Sequence, residues 1–162
     1  MYGFLGFAAA VAGSHLLASP PHAIDGVWKW QVACSSLGPE SAEFCRAHGA
    51  DYFTLSIFSS GHRLCGAYGL TTDFTNHVDE GNLVGWTVSR GRTRGEYRVH
   101  FHVQGTAGTA LVRVHGQSLD WTVLNEKSVD NGEGAFRTSP PRHVTLARDA
   151  TAEMPDAGDC CG

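Results

Sequence analysis

Along most of this chain, hydrophobic and polar positions alternate with a period of two. Residues 27–32 set Trp28, Trp30 and Val32 on one face and Lys29 and Gln31 on the other, the pattern of a half-buried strand. Phe53, Leu55 and Ile57 alternate with Thr54, Ser56 and Phe58. A two-residue turn at Ser60-Gly61 then leads into a strand over 63–68, pairing Ile57 with Leu64 and Phe53 with Tyr68. Further strands are predicted over 83–89, 96–104, 109–115, 118–124 and 142–147. One segment breaks the alternation: 36–49 reads as a short helix, with Pro39 suited to its first turn and Gly49 to its end. The polar stretches 71–82 and 125–141 read as long loops.

Hairpin arithmetic assigns faces to the central strands. A loop at 105–108 sets Val99 opposite Val114 and Phe101 opposite Val112, and a turn at Gly116-Gln117 sets Val114 opposite Leu119 and Val112 opposite Trp121. One continuous apolar face results, and burying it at roughly 1.5–3 kcal/mol per large side chain is the main stabilising contribution. The other face carries Arg98, His100, His102, Arg113, His115, Asp120 and Thr122, with His100, Arg113 and Asp120 in one row across three strands. The pattern predicts a mainly β protein of about eight short antiparallel strands, forming a small barrel or sandwich that hides its edges, with one short helix near the N-terminus.

Composition narrows the function classes. The 162 residues suffice for one domain, and a net charge of −4 with only 12 Lys and Arg argues against nucleic acid as the partner. Residues 1–23 contain no Asp, Glu, Lys or Arg; the apolar run 4–12 is followed by Ser19-Pro20-Pro21 and Ala23. That layout predicts an export signal, although Met1-Tyr2-Gly3 lacks the usual basic residue. The expected organisation is a signal over 1–23, one β domain over 24–148 and a flexible cysteine-containing tail over 149–162. The expected destination is periplasmic or secreted, with no membrane contact after signal removal.

The five cysteines fit an oxidising compartment. Two of Cys34, Cys45 and Cys65 are expected to pair, with Cys45 common to the alternatives Cys34–Cys45 and Cys45–Cys65. The odd count leaves a thiol over, and Cys160 and Cys161 stand side by side in the tail. No Cys-x-x-Cys occurs, so a structural disulfide is expected rather than zinc.

Three constellations carry candidate chemistry. His100-x-His102 places two imidazoles on one side of a strand, and His115 from a neighbouring strand offers a third metal ligand. Arg98 and Arg113 crowd that face with positive charge, so it reads as a solvated surface with an Arg113–Asp120 ion pair, and no metal or other cofactor is expected. Asp73, Asn76, His77, Asp79 and Glu80 in 71–82 supply oxygen ligands for Ca²⁺ or an acid–base pair. Adjacent Asp79 and Glu80 diverge in an extended chain, however, so an ordinary polar loop is expected. Arg90, Arg92 and Arg94, with Tyr97 close by, put three guanidinium groups on one hairpin tip, suited to an anionic partner.

Two resemblances add to this reading. Gly26-Val27-Trp28 at the start of the first strand, with Arg142 or Arg148 in the last, resembles the barrel-closing signature of calycin (lipocalin-type) proteins. That resemblance implies a Trp plugging one barrel end with a cation stacked on it. Arg94-Gly95-Glu96-Tyr97 at a hairpin is similar to the Ser-Gly-x-Tyr loop of small exported bacterial lysozyme inhibitors, with Arg in place of Ser. It implies a loop inserted into an enzyme's cleft. The His100-x-His102 strand also looks superficially like the zinc-binding strand of α-carbonic anhydrases and the His-x-His of cupins, but the chain is too short for the former and lacks the following acidic residue of the latter. The leading expectation is a non-enzymatic inhibitor or immunity-type protein acting on a cell-wall hydrolase or toxin. The alternatives are a calycin-like carrier of a small apolar ligand and a small metalloenzyme using His100 and His102.

Overall fold

A computed structural model describes residues 23–60, 63–87, 96–103, 105–129 and 138–154. The segment 1–23 read as an export signal therefore lies outside the described residues except for Ala23, and Arg90, Arg92, Arg94, Cys160 and Cys161 lie outside them as well.

The strands run β1 (Gly26–Gln31), β2 (Tyr52–Ser60), β3 (Arg63–Thr72), β4 (His77–Thr87), β5 (Glu96–Val103), β6 (Thr106–His115), β7 (Ser118–Ser128) and β8 (His143–Arg148). Each is antiparallel to its sequence neighbour, and β8 pairs with β1 through Trp28↔Arg148 and Lys29↔Ala147, closing the sheet into a barrel. Closure pairs the first and last strands with each other, so neither is left as an open sheet edge there. The interior is lined by every second residue: Trp28 of β1, Phe53, Leu55 and Ile57 of β2, Leu64, Tyr68 and Leu70 of β3, and their counterparts around the wall form one buried cluster.

Between β1 and β2 lie a 3-10 turn at Cys34–Ser36 and the helix α1 (Pro39–His48). Pro39 occupies the first turn and Gly49 ends the helix at φ 108°, donating its N–H to the Cys45 carbonyl at 2.9 Å. Cys45 is buried on the helix and bonded to Cys34, which resolves the two pairings left open by spacing. The helix leans on the β3–β4 turn, where Phe44 meets Phe74 edge-on at 5.1 Å and Thr75 Oγ1 donates to the His48 carbonyl at 2.9 Å.

Four expectations are corrected. Residues 71–82 are not a loop: β3 runs to Thr72, 73–76 turn, and β4 starts at His77. The alternation is hidden there because the inward positions of β4 are Asp79 and Gly81, which sit opposite Leu70 and Tyr68. The β5–β6 register differs by four residues from the expected one, with Val99 opposite Ala110 and Phe101 opposite Gly108. Gly108 reads as a turn residue in sequence, yet it is a strand residue: a Cβ there would meet the Phe101 ring at 2.5 Å and the Asn125 carbonyl at 2.3 Å. The turn instead ends at Gly105, whose φ of 73° needs glycine's freedom. Finally, β2 and β3 pair as Ile57↔Gly66 and Phe53↔Leu70, a two-residue shift, and β7 extends to Ser128. The β6–β7 register, Val112↔Trp121 and Val114↔Leu119, is as expected.

Candidate functional site

The end of the barrel where β1 begins and β8 ends is shut by two side chains. Trp28 is fully buried, and its indole N–H donates to the Ile24 carbonyl at 2.9 Å. The Arg148 guanidinium lies 4.3 Å from the Trp28 ring centroid. It also donates to the Asp25 carbonyl at 2.7 Å and to the Ala23 carbonyl. Asp25 accepts the Ser59 hydroxyl at 2.6 Å, so the chain entering β1 is tied to β2 and β8 together. The stacked Trp and cation are thus Trp28 and Arg148, while Arg142 sits at the other end of the barrel, paired with Glu126 at 2.7 Å.

At the same end β4 finishes at Thr87 and β5 starts at Glu96; Arg90, Arg92 and Arg94 fall between them in sequence and lie outside the described residues. Tyr97 is half-buried and packs against the core, and burial, with the Asp25 charge, raises its hydroxyl above the usual phenol range.

At the opposite end, residues 138–142 cross the barrel mouth. Thr138 and Pro140 are buried, the Thr138 hydroxyl donates to Asp79 at 2.7 Å, and the Trp121 indole N–H donates to the Pro141 carbonyl at 3.0 Å. Beneath them Tyr68 passes over Gly81 and donates to the His102 carbonyl at 2.6 Å. Burial, reinforced by the neighbouring Asp79 carboxylate, pushes the Tyr68 phenol far above its ordinary value. This Asp79–Thr138–Tyr68 cluster has no sequence signature, because it joins the β3–β4 hairpin to a residue 59 positions beyond Asp79.

The three histidines do not converge. His102 lies opposite Ala107, whereas His115 lies eight residues further along β6, roughly 26 Å at strand rise. His100 contacts Thr109 at 3.3 Å, and His115 approaches Asp120 at 3.3 Å. Arg113 pairs with Glu96 at 3.1 Å rather than with Asp120, because the shifted register puts Glu96 opposite it. Among the described residues no group of three or more His, Cys, Asp or Glu is placed to hold a metal ion.

Two depressions, of about 430 and 370 Å³, lie on the outer wall. The larger is lined by Thr54, Ser56, Glu80 and Asn82 over a floor of Ala67 and Gly69, so it offers hydroxyl, carboxylate and amide groups to solvent. The barrel axis, by contrast, is occupied by side chains such as Trp28, Leu55, Val99, Leu119 and Trp121, each no more than 1% exposed. Comparison with family models, with curated proteins and with solved structures finds no match to this chain.

Proposed function

We propose that this protein works by binding at its surface, as an exported inhibitor or immunity-type protein that blocks a cell-wall hydrolase or toxin. The observation that carries the reading is the filled and doubly capped barrel, with Trp28 and Arg148 at one end and residues 138–142 at the other. A carrier needs an interior of roughly 300 Å³ or more, and the buried aromatic and aliphatic cluster takes that space. Arg90, Arg92 and Arg94, between β4 and β5 in sequence, provide the chemistry: guanidinium groups suited to the carboxylates of an acidic cleft. Export is supported by the Cys34–Cys45 disulfide. Among the described residues, no helix is long and apolar enough to cross a membrane.

Co-purification from periplasmic and envelope lysate, followed by affinity measurement on the captured protein, tests this reading. A single stoichiometric hydrolase or toxin is expected. Changing Arg90, Arg92 and Arg94 together to Ala should weaken its binding and flatten the salt dependence of association, with the thermal midpoint moving by only a few degrees. Unchanged affinity in the triple variant would remove the loop from the interface. A second reading, the calycin-like carrier, draws support from the Trp28–Arg148 stack, which has the geometry of that family's barrel closure. The metalloenzyme alternative is set aside because His115 is remote from His100 and His102.

A further inference from the structure

Two rows of side chains cross the outer wall of β2, β3 and β4. Phe53, Leu55, Ile57, Tyr68, Leu70 and Leu83 point into the core, so the residues that alternate with them face outward. The register aligns Thr54, Gly69 and Glu80 in one row and Ser56, Ala67 and Asn82 in the next. Each row runs from a hydroxyl, over a small residue, to a carboxylate or an amide. Together they line the depression of about 430 Å³. We propose that this groove is a binding site for a neutral saccharide.

Glycine keeps the groove open, and its walls are fixed before any ligand arrives. Gly69 lies within β3, its backbone is not left-handed, and the ladders on either side run without a bulge. An interior strand glycine that serves neither turn nor bulge leaves room for close approach. A Cβ there would stand 2.8 Å from Thr54 Oγ1 and 3.9 Å from the Tyr52 ring. The Thr54 hydroxyl is oriented by donating to the Gly69 carbonyl at 3.3 Å. Tyr52, with the Lys29 ammonium 5.6 Å from its ring centroid, closes one end of the groove with carbon. Among the described residues, no hydrogen bond or ion pair engages the side chains of Ser56, Glu80 or Asn82, so their bonding capacity is open to a ligand.

The lining selects the class of ligand. β3 lies between two paired strands, so its backbone groups are spent on the ladders and a peptide strand cannot add there. The lining holds no cation for a phosphate or carboxylate, and its single acid is too few oxygen ligands for a metal ion. Hydroxyl and amide groups both donate and accept, while the carboxylate accepts from two donors. Vicinal sugar hydroxyls, which also do both, match that set. Thr54 and Glu80 stand two strand spacings apart, roughly 10 Å, which leaves room for a sugar ring between them with its C–H groups toward Tyr52. The site goes beyond the inhibitor reading and shares no residue with 88–95.

Titration of isotope-labelled protein with cellobiose and with N,N′-diacetylchitobiose, followed by amide shifts, tests the proposal. Saturable shifts at residues 54–56, 67–69 and 80–82 are expected with at least one of the two sugars. Glu80→Ala and Asn82→Ala should each weaken binding roughly tenfold. Ala67→Leu, which fills the floor from an outward position, should abolish it while the thermal midpoint stays within a few degrees. Should that variant fail to fold, the two alanine variants decide. Co-sedimentation with cell-wall glycan separates the sources: retention in the pellet identifies a polymer ligand, and disaccharide binding without retention a free sugar. The absence of saturable shifts with either sugar, shifts centred elsewhere, or full affinity in the alanine variants would overturn the proposal.

Discussion

Arg148 shows how much one residue can hold. Its guanidinium stacks on Trp28 and donates to the carbonyls of Ala23 and Asp25, so it satisfies the entering chain and covers the barrel end together. Charged hydrogen bonds contribute about 1.5–3 kcal/mol, and a partly desolvated cation over Trp adds on the order of 1 kcal/mol. Arg148→Met keeps most of the apolar stem and loses both contributions, so a destabilisation of about 2.5–4 kcal/mol is expected in urea denaturation. Arg148→Lys keeps the charge but not the planar fork and should fall between Met and wild type. Equal stability of all three proteins would show that Trp28 closes the barrel unaided. The pair was anticipated only through the resemblance of Gly26-x-Trp28 and a last-strand cation to the calycin closing signature, which left Arg142 and Arg148 both open. The Asp79–Thr138 bond was not, because its partners are 59 residues apart and meet only once every register is set.

Among the elements, turns decide what a sequence discloses. Gly116 sits at φ 62° in a two-residue turn, and the β6–β7 register follows from that turn alone. Where glycine serves packing instead, the same residue type misleads. Gly108 makes room for Phe101 inside the barrel, and reading it as a turn residue moves the β5–β6 register by four. An even shift keeps each residue on its own face, so the core was predicted correctly while the outward row was not. Glu96 rather than His100 therefore meets Arg113. Alanine substitution separates the two roles of glycine. At Gly116 a Cβ meets nothing within 4 Å, leaving only the left-handed backbone cost of about 1–2 kcal/mol. At Gly108 the neighbours are a buried ring and a ladder carbonyl, neither of which moves freely, and overpacking of this kind costs about 1–3 kcal/mol and shifts the strands. Gly108→Ala is expected to lower the urea midpoint and to alter amide shifts along both β5 and β7. Gly116→Ala should alter them only around its own turn. Confined changes in both variants would argue that the barrel wall yields locally at Gly108.

For the whole molecule, the question is whether the barrel interior is a core or a compartment. Trp121 belongs to the buried cluster, 1% exposed, with Phe53 at 5.2 Å and Phe101 at 5.7 Å, and it reaches the capping segment through Pro141. Such packing stabilises the fold and leaves the outer surface for recognition, which is why the filled interior favours a surface-binding role over carriage. Trp121→Ala should cost about 3–5 kcal/mol and, where the barrel stays folded, open a void of the kind that stays dry and takes a benzene-sized apolar molecule. Leu119→Ala, at a fully buried position on the same strand, makes a smaller void at about 2–5 kcal/mol should the Trp variant fail to fold. Titration with small apolar probes is then decisive. Wild type is expected to bind none stoichiometrically, and the cavity variants to bind one. Tight, saturable binding by the wild type would mean that residues 138–142 lift to admit ligand, and the protein would be a carrier whose core rearranges rather than an inhibitor built on a solid one.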